Sequence, residues 1–168
     1  MKIEIYQPQA IWELGQRNNQ EDSIFPAFGE ATDDDRLFIL CDGMGGHEHG
    51  EVASQTVCKA MSDTLLSLSK QSFTDDDLLD ALQTAYRQLD CLDNSHLRKM
   101  GTTLCLLYFH QGGLTAAHIG DSRIYHIRPK ENRILYQSRD HSLVYDLYQA
   151  GEISYDEMRT SPQKNIIT

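Results

Sequence analysis

Residues 37–54 read LFILCDGMGGHEHGEVAS. The apolar run Leu37–Cys41 ends at Asp42, and Gly43, Met44, Gly45 and Gly46 follow. His47, Glu48, His49 and Gly50 come next, before a helical pattern that begins near Glu51. This order predicts a strand, a glycine-rich turn and a helix. Glycine lets a backbone turn tightly and approach a ligand closely. A nucleotide phosphate loop would close on a Lys-Ser/Thr pair, which this stretch lacks. Asp42 points instead to a hard cation, because carboxylate and carbonyl oxygens suit Mg²⁺ and Mn²⁺. A capped strand-to-helix turn explains the same residues without a metal, and this stretch alone leaves both readings open.

Downstream, Val52, Ala53, Thr56, Val57, Ala60, Met61, Thr64, Leu65 and Leu68 form one stripe at helical spacing. Thr74 is placed to cap a second helix, and Asp75, Asp76 and Asp77 suit its positive N-terminal end. Leu78, Leu79, Leu82, Ala85, Tyr86 and Leu89 are that helix's expected buried face. Upstream, Lys2–Tyr6 alternates and reads as a strand, and Ser23–Phe28 as a short one. The polar stretches 15–22 and 30–36 read as loops.

From Gly101 the pattern turns to strands. Leu104–Phe109 is nearly all apolar, as in a strand covered on both faces. Gly112-Gly113 turns it back into Leu114–Ile119. Arg123–Arg128 and Arg133–Gln137 flank a turn at Pro129–Asn132. A short helix over 143–150 stops at Gly151, and Ser154 with Glu157 forms a capping box for another turn. Consecutive strands with short turns make an antiparallel meander, and helices and strands fall in separate blocks. That predicts an α+β fold.

Composition narrows the function. The chain has 168 residues, with 15 basic and 25 acidic side chains giving a formal charge of −10. No basic patch stands out, so neither nucleic acid nor an anionic membrane surface is an expected partner. The four cysteines show no paired zinc-ligand spacing. Cys41 and Cys105 lie in apolar runs and read as buried free thiols, which fits a reducing cytoplasm. No apolar run is long enough to span a bilayer.

Polar clusters recur at strand ends: Arg17 with Glu21-Asp22, Asp42-Gly43, Gly120-Asp121 and Asp140-His141. Singly, each has a structural explanation, as a turn former, a cap or a surface ion pair. In order, they resemble the bacterial metal-dependent protein phosphatases of the PPM, or type 2C, family. R-x-x-N-E-D stands as Arg17–Asp22 with Gln20 at the Asn position. D-G-M-G-G-H stands intact over Asp42–His47, followed by Gly50-Glu51 and Ala53-Ser54. Gly101-Thr102-Thr103, Gly120-Asp121-Ser122-Arg123-Ile124-Tyr125, Asp140-His141-Ser142 and Gly151-Glu152-Ile153 complete the series.

The resemblance implies a layered α/β/β/α sandwich of two antiparallel sheets flanked by helices. It implies hydrolysis of phosphoserine and phosphothreonine in proteins, with two Mn²⁺ or Mg²⁺ ions and a weaker third. Two cations about 4 Å apart share a carboxylate and activate a bridging hydroxide for in-line attack. Carried over by position, Asp42 bridges the metals, the Gly43 carbonyl and Asp22 add ligands, and Glu21 acts through water. Arg17 grips the substrate phosphate, for which a planar bidentate donor is suited. Asp121 serves the third metal. His47 is read as orienting the loop, with a proton-donor role the lesser reading, and Asp140 and His141 as supporting the ligands by hydrogen bonds. Met44 stands where animal members place their proposed acid histidine.

The family's later S-D-G and D-N motifs, each with a ligand aspartate, are not in this sequence. The chain is therefore expected to be one family domain over 1–168, lacking its C-terminal elements, with weak metal binding and little or no turnover of its own. A phosphatase-like regulatory or interaction module without catalysis is the alternative. A generic divalent-cation domain is a third reading, which explains Asp42 but not Arg17. Partners implied are phosphorylated proteins, including substrates of a Ser/Thr kinase, bound by a cytoplasmic monomer.

Overall fold

The computed structural model describes residues 3–44, 49–68, 73–92 and 100–168. The chain divides into two compact units, residues 1–117 and 118–168. The described elements of the first are β1 (Asp22–Phe25), β2 (Leu37–Met44), α1 (Gly50–Ser67), α2 (Asp75–Leu92), β3 (Gly101–Thr102), β4 (Leu104–His110) and β5 (Gly113–Ile119), which reaches into the second. The second holds β6 (Tyr125–Arg128), β7 (Arg133–Gln137), α3 (Leu143–Gln149) and α4 (Tyr155–Thr160).

Strand β2 is the axis of the first unit. Its neighbours in the sheet are β1 and β4, with β5 beyond β4, and β3 pairs with its last two residues. Along it, Leu37, Ile39, Cys41 and Gly43 are buried, while Leu40 and Asp42 are exposed. The buried set faces α1, whose Ala53, Val57, Ala60, Met61 and Leu65 complete the core with Leu104 and Leu106. The Ser23 and Ser54 hydroxyls bond at 3.1 Å between β1 and α1. Helix α2 packs on α1. The opposite sheet face carries Ile24, Phe38, Leu40, Asp22 and Asp42, since residues directly opposed in a ladder share a face.

In the second unit β6 and β7 form an antiparallel ribbon with an irregularity after His126, and every residue of both strands is exposed. Helices α3 and α4 pack together, and Ser142 bridges to Ile167. The Ser154–Glu157 capping box is present at α4. Thr74 and Asp77 likewise bond reciprocally at the start of α2.

The structure departs from the expectations above in several places. Ile3–Tyr6 has no strand pairing: alternation needs a partner strand to become a strand. Strand β2 does not end at Asp42 but continues to Met44, because β1 and β3 extend the ladder on both sides. Val52, at the head of the α1 stripe, is exposed, as are Leu79 and Tyr86 of α2, where Ala81 and Asp77 take the buried positions instead. Strand β4 is fully buried only at Leu104 and Leu106, so one face is covered and the other half-covered. Cys105 is likewise half-buried, and all four thiols are free.

Candidate metal centre

The first candidate residues meet by sheet register. Asp22 and Asp42 are directly opposite in the β1–β2 ladder. The Gly43 N–H donates to the Glu21 carbonyl at 3.0 Å, so the neighbouring pair is hydrogen-bonded and the Asp22–Asp42 pair is not. Non-hydrogen-bonded pairs are the closer kind, with Cα atoms about 4.5 Å apart. Two like charges directly opposed destabilise a ladder, so this arrangement favours a cation between them. Asp22 is half-buried and Asp42 exposed. Both offer hard oxygens, and the Gly43 carbonyl lies in the same strand end. This donor set fits Mg²⁺ or Mn²⁺ in kind, with water completing the shell. Among the described residues, no group of three or more His, Cys, Asp or Glu side chains converges.

Glycine at 43 has a steric reason. A Cβ there would lie 2.0 Å from the Gly50 carbonyl oxygen and 2.8 Å from the Glu21 carbonyl oxygen. A Cβ at Gly50 would meet the Gly43 carbonyl oxygen at 3.0 Å and Glu21 Cδ at 3.1 Å. The two glycines therefore let the first turn of α1 lie against the end of β2.

Arg17 bonds through Nη1 to Glu21 Oε2 at 3.3 Å, with its own side chain 78 % exposed and that of Glu21 19 %. The surface ion pair thus forms, and the guanidinium stays open to solvent. Gln20, a departure from the family pattern, hydrogen-bonds through its side-chain carbonyl to the Asp22 N–H at 3.2 Å. It holds the start of β1 as an Asx-type turn would. His47 and Glu48 lie outside the described residues.

The other candidates belong to the second unit. Asp121 is exposed and follows Gly120, whose φ of +97° favours glycine. Asp140 takes Arg123 in a fork, Nε to Oδ1 at 2.6 Å and Nη2 to Oδ2 at 2.5 Å. That bond, and one to Tyr125, push the Arg123 guanidinium above its ordinary range. His141 accepts the Gly120 N–H at ring Nδ1, 3.3 Å, and its main-chain N–H donates to the Gly120 carbonyl at 3.0 Å. The His118 ring stacks on it at 4.7 Å. Asp140 and His141 therefore flank the Asp121 turn.

The sequence reading assigned no role to Thr102 and Thr103. The Asp42 N–H donates to Thr103 Oγ1 at 3.0 Å. The Asp42 carbonyl accepts from the Thr103 N–H at 2.9 Å and from Thr102 Oγ1 at 3.0 Å. The motif Gly101-Thr102-Thr103 was the signal, but only the ladder shows what it holds.

An opposed carboxylate pair lies at a strand end beside a glycine-bounded helix start, on an α+β scaffold of antiparallel sheets and flanking helices, and offers oxygens of the kind a hard cation takes. The model of the Protein phosphatase 2C family matches residues 15–153, and the chain belongs to that family. Over 146 residues it is 35% identical to the serine/threonine phosphatase stp of Listeria monocytogenes serotype 4b, covering 82% of this chain and 56% of that protein. The crystal structure of the serine/threonine phosphatase Stp1 from Staphylococcus aureus overlays with a TM-score of 0.77 at 31% identity, covering 100% of this chain and 68% of that one. The catalytic domain of the serine/threonine protein phosphatase PstP, solved with two manganese ions, overlays with a TM-score of 0.63 at 33% identity, over 84% of this chain and 58% of that one. The chain spans about half the length of the curated relative it matches.

Proposed function

We propose that this chain carries metal- and phosphate-binding residues of a Mn²⁺- or Mg²⁺-dependent serine/threonine protein phosphatase site. The observation that carries this reading is the direct opposition of Asp22 and Asp42 beside the Gly43 carbonyl. Asp42, Asp22 and the Gly43 carbonyl would hold the cations, with Glu21 acting through water and Asp121 serving a weaker third ion. Bound there, divalent cations supply an activated water and neutralise charge on the phosphoryl group. Arg17 binds and orients the phosphate dianion, exchanging its pairing with Glu21 for a bidentate one. The manganese complex of PstP supports the choice of ion. The substrates are phosphoserine and phosphothreonine proteins, products of Ser/Thr kinases, met in the cytoplasm by a monomer.

The test is phosphothreonine-peptide hydrolysis with and without Mn²⁺, comparing wild type with Asp42→Asn and Arg17→Ala. Joined to the family's later S-D-G and D-N segments, the chain is expected to show metal-dependent turnover that is lost in Asp42→Asn and a raised KM with lower kcat/KM in Arg17→Ala, whereas by itself it is expected to bind Mn²⁺ weakly and turn over little. Turnover in excess chelator, or wild-type rates for Asp42→Asn, would overturn the reading. Mn²⁺ binding with no turnover in that joined form would instead favour the regulatory-module reading.

A further inference from the structure

The strands on either side of Thr103 keep one register. Leu40 pairs with Cys105 and Gly43 with Thr102, which leaves Asp42 opposite Thr103. Yet the ladder is broken there: Thr103 belongs to neither β3 nor β4. The Thr103 N–H makes its ordinary bond to the Asp42 carbonyl at 2.9 Å. The reverse bond goes astray, because the Asp42 N–H bonds to the Thr103 hydroxyl rather than to its carbonyl. The Thr102 hydroxyl lies 3.0 Å from both the Asp42 carbonyl and the Thr103 carbonyl. One side-chain hydroxyl thus takes the place of a main-chain ladder bond, and a second adds to the remaining one, at a residue whose carboxylate meets the proposed metal site.

We infer that Thr103 and Thr102 are positioning residues that aim the Asp42 carboxylate and the Gly43 carbonyl, an inference that rests on the metal-dependent reading above. The peptide planes on both sides of Asp42 are fixed by these bonds, and a carboxylate on a single Cβ follows its backbone. The plane after Asp42 includes the Gly43 nitrogen, itself tied to the Glu21 carbonyl. A hydroxyl suits this task because its bond can reach a direction that a rigid ladder carbonyl cannot. Threonine suits it better than a flexible residue, since its branched Cβ limits χ1. Thr103 is 1% exposed, so its hydroxyl is screened from bulk solvent. Outer-shell partners of this kind typically carry 10–100-fold in metal affinity.

The experiment is Mn²⁺ binding to the full chain, read by titration calorimetry and by paramagnetic broadening of the Gly43 amide signal. Wild type, Asp42→Asn, Thr103→Val, Thr103→Ser and Thr102→Val are compared, each with its metal-free thermal midpoint. Thr103→Val should weaken Mn²⁺ about tenfold or more, and Thr103→Ser should restore binding close to wild type. Thr102→Val, which leaves the Asp42 N–H bond in place, should weaken it less. A merely structural threonine would lower the midpoint of Thr103→Val and leave its Mn²⁺ affinity unmoved, and that result overturns the inference. Where Thr103→Val does not fold, Thr102→Val decides: unchanged affinity overturns the role, reduced affinity sustains it. Wild-type chain that binds no Mn²⁺, or binding that survives Asp42→Asn, overturns the metal reading and this inference together.

Discussion

Asp42 and Asp121 are held in unlike ways. Asp42 sits inside a strand flanked on both sides, its backbone fixed by a buried threonine hydroxyl and by ladder bonds. Asp121 sits in a turn after Gly120, flanked by the Arg123–Asp140 fork and the His141 ring. The Arg123 and Asp140 side chains are 42% and 15% exposed. The first holder is made of main chain and core and resists change. The second is made of side-chain pairs near water, which give less when formed and cost less when lost. The difference predicts that substitutions around Asp42 act on the whole first unit, whereas those around Asp121 act locally.

The strongest challenge to that contrast is Gly43→Ala. The added carbon would overlap two backbone carbonyls, so β2 and the start of α1 must separate. We expect a loss of about 3 kcal/mol or more in urea unfolding, at the upper end of overpacking costs. A loss below ~1 kcal/mol would show that the first holder yields as readily as the second. Next comes Arg123→Lys, which keeps the charge and removes the fork. An exposed pair of this kind contributes about 1 kcal/mol at most, and we expect that loss with the first unit's amide exchange unchanged. Protection lost at Ile24 or Ile39 in this variant would erase the contrast.

A thiol titration sharpens the picture of the first unit. Cys91 is exposed, and burial pushes the Cys105 thiol up to about 11. Cys41 is held well above the ordinary thiol range by the neighbouring Cys58 and then by burial. The Cys58 thiol is held below the ordinary range by its bond to Cys41, but at 5% exposure it is shielded from reagent. Native protein at neutral pH should therefore take one alkyl group, at Cys91, and all four only after unfolding; rapid native labelling of Cys41 or Cys58 would show the core to be open. The smallest effect is expected at α4. The Ser154 N–H, with its hydroxyl, holds the Glu157 carboxylate below its ordinary range. A depressed folded value contributes above the unfolded pKa, near 4.3, and is lost as pH falls through the folded value. The Glu157 amide shift should move only in that acid window, and Glu157→Gln should abolish the movement; a midpoint above the ordinary glutamate range would reverse the sign.

Much of this was legible in the residues. The Leu37–Cys41 run, the stripe of α1, the reciprocal caps at Thr74 and Ser154, and the strands around Gly112 and Pro129 are local signals, and local signals survive folding. What failed was non-local. Gly43 reads as a turn former until Gly50 is seen to return against it, and only then does a glycine inside a strand make sense. Ile3–Tyr6 has a strand's alternation, yet among the described residues it pairs with no strand. Leu79 and Tyr86 fit a helical stripe whose width depends on how α2 lies on α1. At the site, Asp42 stands out by its type and its place after an apolar run, whereas Asp22 is named through the family resemblance. Thr103 could not be named, because its part depends on a ladder bond that goes to a hydroxyl instead of a carbonyl. Gln20 reads as a departure from the family pattern, yet its side-chain carbonyl reaches the Asp22 N–H.

The close approach of Gly43 to Gly50 has a consequence for how such a protein can vary. Any side chain at either position would push the end of β2 and the start of α1 apart. Substitutions at Gly43 or Gly50 should therefore be tolerated far less often than substitutions at Gln55 or Lys59, which lie exposed on the same helix. A library randomised at either glycine should yield few folded members, and one randomised at Gln55 and Lys59 many.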